Sequence, residues 1–219
     1  MAPRSLGLPL LLALVGTAGT ARAEPATWIA SSDSGHILVH VYKRGLLSGL
    51  AHDHHFSATE WRATAVLDPA DPVQARVEVV VAASSLRDQQ AALSEAERAK
   101  VNGRAAGPET LDAARFPEIR FVAVRLASDG PAPARAEDGL AGGLLGTLSL
   151  HGVSRPIQVA VQAAREGEKW RVTGAARLKQ SEFGIEPYSG FAGAVAVHDE
   201  VVIEFDLLLS PAPPPAPPP

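Results

Sequence analysis

Residues 170–179, WRVTGAARLK, show the pattern that decides the fold of this 219-residue chain. Apolar or small side chains alternate singly with polar ones, and a period of two is typical of a β-strand with one buried face. The same alternation occurs in residues 73–81, 157–163 and 201–209. Further strands are predicted at residues 35–43, 54–67, 118–126 and 143–151. The sequence therefore predicts an all-β protein of about eight strands.

Turn-forming residues separate these strands. Asp68-Pro69-Ala70-Asp71-Pro72, His151-Gly152 and Glu166-Gly167-Glu168 carry the residue types that reverse a chain. Short connections predict that neighbouring strands pair in sequence as an antiparallel meander. Such a meander closes into a barrel or packs as a sandwich, and alternation alone does not distinguish the two.

One segment, residues 93–104, has the composition of a helix. Ser94 and Glu97 have the spacing of a capping box at its start, and Asn102-Gly103 has the residue types that end a helix. Since it lies between two predicted strands, we expect a single helix that crosses over the sheet or covers one side of it.

The two ends of the chain differ from its centre. Residues 1–23 combine Arg4, a short apolar run and Ala21-Arg22-Ala23, which predicts a cleaved signal peptide and a periplasmic or secreted protein. Residues 24–210 form the predicted barrel domain. The tail at 211–219, PAPPPAPPP, is expected to be polyproline II or disordered.

Composition excludes several classes of function. The chain has 20 basic and 24 acidic residues, and the predicted cleavage removes two of the arginines. An acidic chain without a basic stripe argues against a nucleic-acid partner. The chain has no cysteine, so its stability comes from an ordinary core rather than from disulfides.

The stretch richest in side chains that could bind a metal or take part in catalysis is GLAHDHHF at residues 49–56. If its strand pairs with residues 35–43, up to four imidazoles could converge, those of His36, His40, His52 and His54, to hold a metal ion or associate with haem. A polar cluster beside a hairpin turn is the alternative. Within this set, His52 and His54 are the candidate metal ligands, because alternate residues of a strand share a face.

Other catalytic patterns are missing from the sequence. It contains no G-x-S-x-G elbow, no cysteine nucleophile and no glycine-rich phosphate loop before a helix. We therefore expect a binding protein rather than an enzyme, and no cofactor.

Four stretches, in this order, resemble the YceI-like proteins. They are LDAARFPEIRF (111–121), GTLSLHGVSRPIQVAV (146–161), LKQSEFGI (178–185) and VHDEVVIEFDL (197–207). The histidine-containing hairpin and the helical insert resemble the secreted variant of that family. Two positions depart from its pattern, since Gln180 replaces a frequent arginine and Glu182 an aspartate.

The resemblance implies a lipocalin-like, eight-stranded antiparallel barrel with one helical crossover insert. It also implies an apolar cavity that carries a polyisoprenoid or quinone-like lipid, and for some members a membrane redox protein as partner. The oligomeric state stays open, and a solidly packed barrel is a further alternative. The residues expected to contact the lipid are Phe121, Leu148, Leu150, Phe183 and Phe205.

Overall fold

The computed structural model describes residues 25–47, 49, 52–67, 74–127, 134–136 and 139–213. Within these ranges the chain forms one antiparallel sheet and one α-helix, α1, at Glu95–Ala106. The predicted signal peptide lies outside the described residues. The strands are β1 Ala26–Ser31, β2 Gly35–Arg44, β3 His54–Ala58, β4 Trp61–Leu67, β5 Arg76–Ala82, β6 Leu86–Asp88, β7 Glu118–Ala127, β8 Ala134–Ala136, β9 Gly139–Leu150, β10 Val153–Glu166, β11 Lys169–Lys179, β12 Ser189–Gly190 and β13 Val195–Pro211.

The sheet closes on itself as an eight-stranded barrel. Three long strands are kinked and are each made of two segments, β1 with β2, β3 with β4, and β5 with β6. These three kinked strands are followed around the ring by β7, β9, β10, β11 and β13, and each strand pairs with the next one in sequence. The last strand, β13, pairs with β11 on one side and with both β1 and β2 on the other, which completes the ring. The predicted barrel is confirmed, and the continuous ring excludes a sandwich.

The kinks were not predicted from the sequence. Residues 54–67 were expected to form one strand, but Thr59 and Glu60 interrupt it. The backbone N–H and hydroxyl of Thr59 both donate to the carbonyl of Ser85, at 3.2 and 2.9 Å, in the neighbouring kink. The Ser85 hydroxyl, 1% exposed, donates back to the Glu60 carbonyl. Because the two kinks satisfy each other's polar groups, the barrel bends at one level without leaving them unpaired.

The hairpin between β9 and β10 follows its predicted turn. His151 and Gly152 have φ values of 52° and 76°, the left-handed values that a two-residue type I′ turn requires at both positions. Leu150 and Val153 pair directly across it. This tight connection sets the register of the longest strand pair in the barrel.

Helix α1 begins as predicted but ends later. The Ser94 hydroxyl accepts from the Glu97 N–H, and the Glu97 carboxylate accepts from the Ser94 backbone and hydroxyl. These last two bonds lower the pKa of Glu97. The predicted end at Asn102-Gly103 is wrong, because the helix continues to Ala106 and is capped by Gly107 before Pro108. The Asn102 side chain accepts a hydrogen bond from the Asp88 N–H of the barrel at 2.8 Å. This contact keeps Asn102 within the helix instead of at its end.

The start of the predicted tail also needs correction. Pro211 is the last residue of β13, opposite Trp28, and the N–H of Ala212 donates to the Thr27 carbonyl. Proline is tolerated there because it stands at the end of a strand, where one missing donor interrupts no further ladder. No helix in the described part of the chain is both long and apolar enough to cross a membrane.

Two glycines on the inner face of the barrel lie against aromatic rings. Gly174 is paired with Phe205, and a Cβ atom at Gly174 would overlap that ring and the Ala160 carbonyl. A Cβ atom at Gly146 would lie 2.7 Å from the ring of Phe121. Both rings therefore lie over the backbone of a neighbouring strand instead of projecting into the middle of the barrel.

These contacts predict opposite effects for two glycine-to-alanine substitutions. Gly174→Ala should lower the free energy of unfolding by about 1–3 kcal/mol, because the new methyl overpacks the inner wall. Gly103→Ala in α1 has nothing within 4 Å of its new Cβ and should raise stability by up to about 1 kcal/mol, through helix propensity. Urea unfolding followed by circular dichroism measures both. Equal stability of the two variants would contradict the close packing at Gly174.

Candidate functional site

The interior of the barrel contains a cavity of about 300 Å³. All eight long strands contribute inward-facing side chains to its wall, and the part of the wall beside α1 includes Ala105, Thr110 and Leu111. Of the residues that line it, only Thr64, Thr110 and Gln180 have polar side chains, and none is charged. A cavity of this kind holds an apolar group and offers nothing to neutralise a buried charge.

Four of the five residues predicted to contact a ligand line this cavity. They are Phe121, Leu148, Leu150 and Phe205. Phe183 does not line it, because the 3-10 turn Gln180–Phe183 buries its ring completely, in a core cluster with Leu178 and Ile185. Inward-facing residues of the alternating strands complete much of the wall, among them Val77, Val79, Val159, Val172 and Ile203.

Gln180 stands where the wall meets the end of the barrel next to α1. Its side chain is 9% exposed, and its amide nitrogen donates to the His198 carbonyl at 2.9 Å. This neutral amide occupies the position at which an arginine would bring a positive charge into the wall. Glu182, the second departure from the family pattern, is exposed. The neighbouring turn is held instead by Asp199, whose carboxylate accepts two bonds from Ser181 that lower its pKa.

Two tryptophans line the opposite end of the cavity, and sequence reasoning did not select them. Trp28 and Trp170 meet edge to face, with ring centroids 6.4 Å apart and planes at 88°. Trp170 lies on the apolar face of the alternating stretch at residues 170–179, and this pattern predicts that its side chain points inward. Trp28 lies on β1, a strand that was not predicted.

The histidines do not converge as the metal hypothesis expected. On β2 and β3 the register pairs His40 with His55 on the outer face and Val41 with His54 on the inner face. His52 precedes β3 and is exposed, as is His36. Among the described residues, no group of three or more histidine or acidic side chains is placed to hold a metal ion.

His54 instead belongs to a polar network that holds the helical insert. Its Nδ1 lies 2.5 Å from Oδ2 of Asp88, a carboxylate that is fully buried. The other carboxylate oxygen accepts from the Gln90 N–H at 2.6 Å. From α1, Arg98 donates to the Asp88 carbonyl at 2.8 Å, and Asn102 accepts from its N–H. A single buried aspartate thus joins β3, β6 and the helix.

Comparison with known proteins matches this architecture. The family model of the YceI-like domain matches residues 35–209. UPF0312 proteins of Pseudomonas savastanoi pv. phaseolicola and Pseudomonas syringae pv. syringae are each 28% identical over 138 residues, which are 60% of this chain and 64% of theirs. The chain therefore matches less than two thirds of the length of these curated relatives.

Solved structures share the fold at low sequence identity. BcnA of Burkholderia cenocepacia superposes with a TM-score of 0.62 at 20% identity, covering 83% of this chain and 99% of BcnA. A polyisoprenoid-binding domain from Saccharophagus degradans gives 0.59 at 13% identity, covering 86% and 100%. The Campylobacter jejuni YceI protein gives 0.51 at 14% identity, covering 70% and 82%.

The family model covers most of the barrel, and these structures have the same fold. The chain belongs to the YceI-like domain family.

Proposed function

We propose that this protein is an exported carrier that sequesters a polyisoprenoid or another long-chain amphiphilic lipid inside its barrel. The observation that carries the proposal is the interior cavity, whose lining contains no charged side chain. Each methylene transferred from water into such a wall contributes on the order of 0.8 kcal/mol before ordering costs. A long apolar chain therefore binds there with few polar contacts.

The distribution of polar groups supports one orientation of the lipid. Gln180 and Thr110 contribute polar groups at the end of the cavity beside α1, which is otherwise apolar, while the other end is lined by Trp28 and Trp170. Burial of an uncharged polar head costs less free energy beside an amide and a hydroxyl, which can hydrogen-bond to it, than beside indole rings. We therefore place the head at the α1 end. A quinone or a prenyl alcohol fits this wall better than a charged head buried within it.

The same lining supports binding rather than catalysis. A reaction inside the cavity would need a nucleophile, an acid or a base in contact with the substrate. The residues around the cavity supply aliphatic and aromatic groups, the Thr110 hydroxyl and the Gln180 amide; Thr64 lies between the inward-facing Ala63 and Ala65, so its hydroxyl is on the outer face. The polyisoprenoid-binding domain of Saccharophagus degradans, with the same fold, is consistent with this proposal.

Export rests on the N-terminal sequence. Residues 1–23 have the charged, apolar and small-residue regions of a signal peptide, which favours a periplasmic or secreted location. In that setting a carrier would hold lipid between membranes, and a membrane redox protein is the corresponding partner for a quinone-like ligand.

Lipid identification tests the central proposal. The full chain, expressed in a bacterium with its own N-terminus and purified without detergent, should carry about one prenyl or long-chain lipid per barrel. Native mass spectrometry gives the bound mass, and extraction with chromatography identifies the species. A protein that is lipid-free after gentle purification, and that also takes up no prenylated quinone from solution, would exclude the carrier function.

Filling the cavity should abolish uptake. Ala63 lines the cavity and is 4% exposed. Ala63→Phe therefore places a ring inside the cavity and should weaken binding about tenfold or more, or about 1.4 kcal/mol. Ala160→Phe is the matched control, because Ala160 is exposed on β10. Circular dichroism verifies that both variants fold. Equal binding by the two variants would place the lipid elsewhere.

Tryptophan fluorescence should report the ligand directly. A short prenylated benzoquinone is expected to quench Trp28 and Trp170, which line the cavity, more than Trp61, which is buried in the core outside the lining. The double variant Trp28→Phe/Trp170→Phe should lose most of the quenching, and Trp61→Phe should retain it. The reverse pattern would contradict binding in this cavity.

A further inference from the structure

The outer face of the barrel has a histidine pair that the carrier function does not use. His40 of β2 and His55 of β3 lie directly opposite each other, with their Nδ1 atoms 2.7 Å apart and their rings inclined at 72°. We propose that this pair, supported by Glu204, binds a divalent transition-metal ion of the Cu²⁺ or Ni²⁺ type. This site goes beyond the proposed lipid function and does not depend on it.

Glu204 gives His40 the environment of a metal ligand. Its carboxylate Oε2 lies 3.1 Å from His40 Nε2 and accepts a hydrogen bond from the N–H of that nitrogen. The hydrogen-bond network therefore assigns His40 the tautomer whose Nδ1 is unprotonated, and without a metal this nitrogen accepts from His55 Nδ1. A carboxylate behind the ligating imidazole fixes the ring and increases its basicity, as in many protein metal sites.

The spacing of the two nitrogens favours one coordination geometry. With metal–nitrogen bonds of about 2.0 Å, adjacent ligands of a square-planar ion lie about 2.8 Å apart, and those of a tetrahedral ion about 3.3 Å apart. The 2.7 Å separation is close to the square-planar value, which Cu²⁺ and Ni²⁺ adopt with nitrogen and oxygen ligands. Nitrogen ligands also bind Cu²⁺ more tightly than Zn²⁺ in the general order of affinities.

Small rearrangements complete the site. The His55 Nδ1 proton, now donated to His40, moves to its Nε2 through solvent, and the ring turns about its broad χ2 torsion to aim both lone pairs at one ion. The His40 side chain is 15% exposed and that of Glu204 57%, so an ion reaches the pair from solution. Two protein ligands leave the remaining coordination positions to water or to an exogenous ligand.

The neighbouring groups do not compete for this ion. Tyr42 stacks near His40, with centroids 6.4 Å apart and planes at 12°. Asp206, the next carboxylate on that face of β13, accepts two bonds from Arg171. His54 faces the interior and is bound to Asp88. The sequence led us to expect His52 and His54 as the metal ligands, but the structure brings His40 and His55 together instead. The register between β2 and β3, rather than proximity along the chain, determines which two histidines are adjacent.

Calorimetric titration of the tag-free protein with CuCl₂ and NiCl₂, in a non-chelating buffer, tests the proposal. We expect one ion per chain, with affinity falling at least about tenfold in His55→Ala and in His40→Ala. Glu204→Gln keeps both ligands and should weaken binding about 10-fold or more. His52→Ala is the matched control, because this histidine is exposed and lies close in sequence. Zn²⁺ should bind more weakly than Cu²⁺.

A spectroscopic readout separates ligation from a change in stability. The electron paramagnetic resonance spectrum of the Cu²⁺ complex should show coupling to two imidazole nitrogens in the unaltered protein, and in His55→Ala to one at most. Affinity that is unchanged in His55→Ala and Glu204→Gln, or that is lost in His52→Ala, would overturn the proposal. The lipid measurements above do not involve these residues, so failure of either proposal leaves the other testable.

Discussion

An eight-stranded barrel encloses a space only just wide enough for its own side chains. Whether this protein has a cavity therefore depends on which inward positions carry small residues. Alanines line the wall at several levels, and Gly146 and Gly174 let the rings of Phe121 and Phe205 lie against the backbone of neighbouring strands. With larger residues at these positions, the same ring of strands would be solidly packed, and the proposed lipid would have no site.

A second constraint acts at the end of the barrel covered by α1. No residue of this helix is buried, so apolar packing contributes little to its position. Hydrogen bonds hold it instead: Arg98 donates to the carbonyl of the buried Asp88, and the Asn102 side chain accepts from the Asp88 N–H. The Arg104 guanidinium also lies 4.5 Å from the centroid of the Tyr188 ring. Segments with few buried apolar contacts open at lower free energy than the core. The helix thus contributes Ala105 to the cavity wall while few apolar contacts fix its position.

The barrel keeps its inner and outer faces chemically separate. Along β2, the inward residues Ile37, Val39 and Val41 line the cavity, while His40 projects outward. Alternation along a strand makes this separation automatic, since adjacent residues face opposite sides. The two proposed sites, for a lipid on the inner face and an ion on the outer face, therefore share strand β2 without sharing side chains. The low identities between this chain and solved structures of the same fold are consistent with a barrel that needs the alternation more than particular residues.

The sequence by itself determined the features that depend on neighbours along the chain. Period-two alternation predicted the strands, His151-Gly152 predicted the tight turn between β9 and β10, and Ser94 with Glu97 predicted where α1 begins. The inward faces also identified most of the cavity wall, because a residue's face follows from its place in a strand. The motif order pointed to the YceI-like family before any contact was known.

Only the tertiary structure decided the features that depend on register between distant segments. The pairing of β2 with β3 brought His40 to His55 and sent His54 to Asp88, and a shift of one residue would have reversed those faces. Contacts between Thr59 and Ser85 divided the strand predicted at residues 54–67, and Asn102 stayed within its helix because its side chain accepts a hydrogen bond from Asp88 in the barrel. In each case a local preference was overridden by a partner distant in sequence, and local patterns carry no information about that partner.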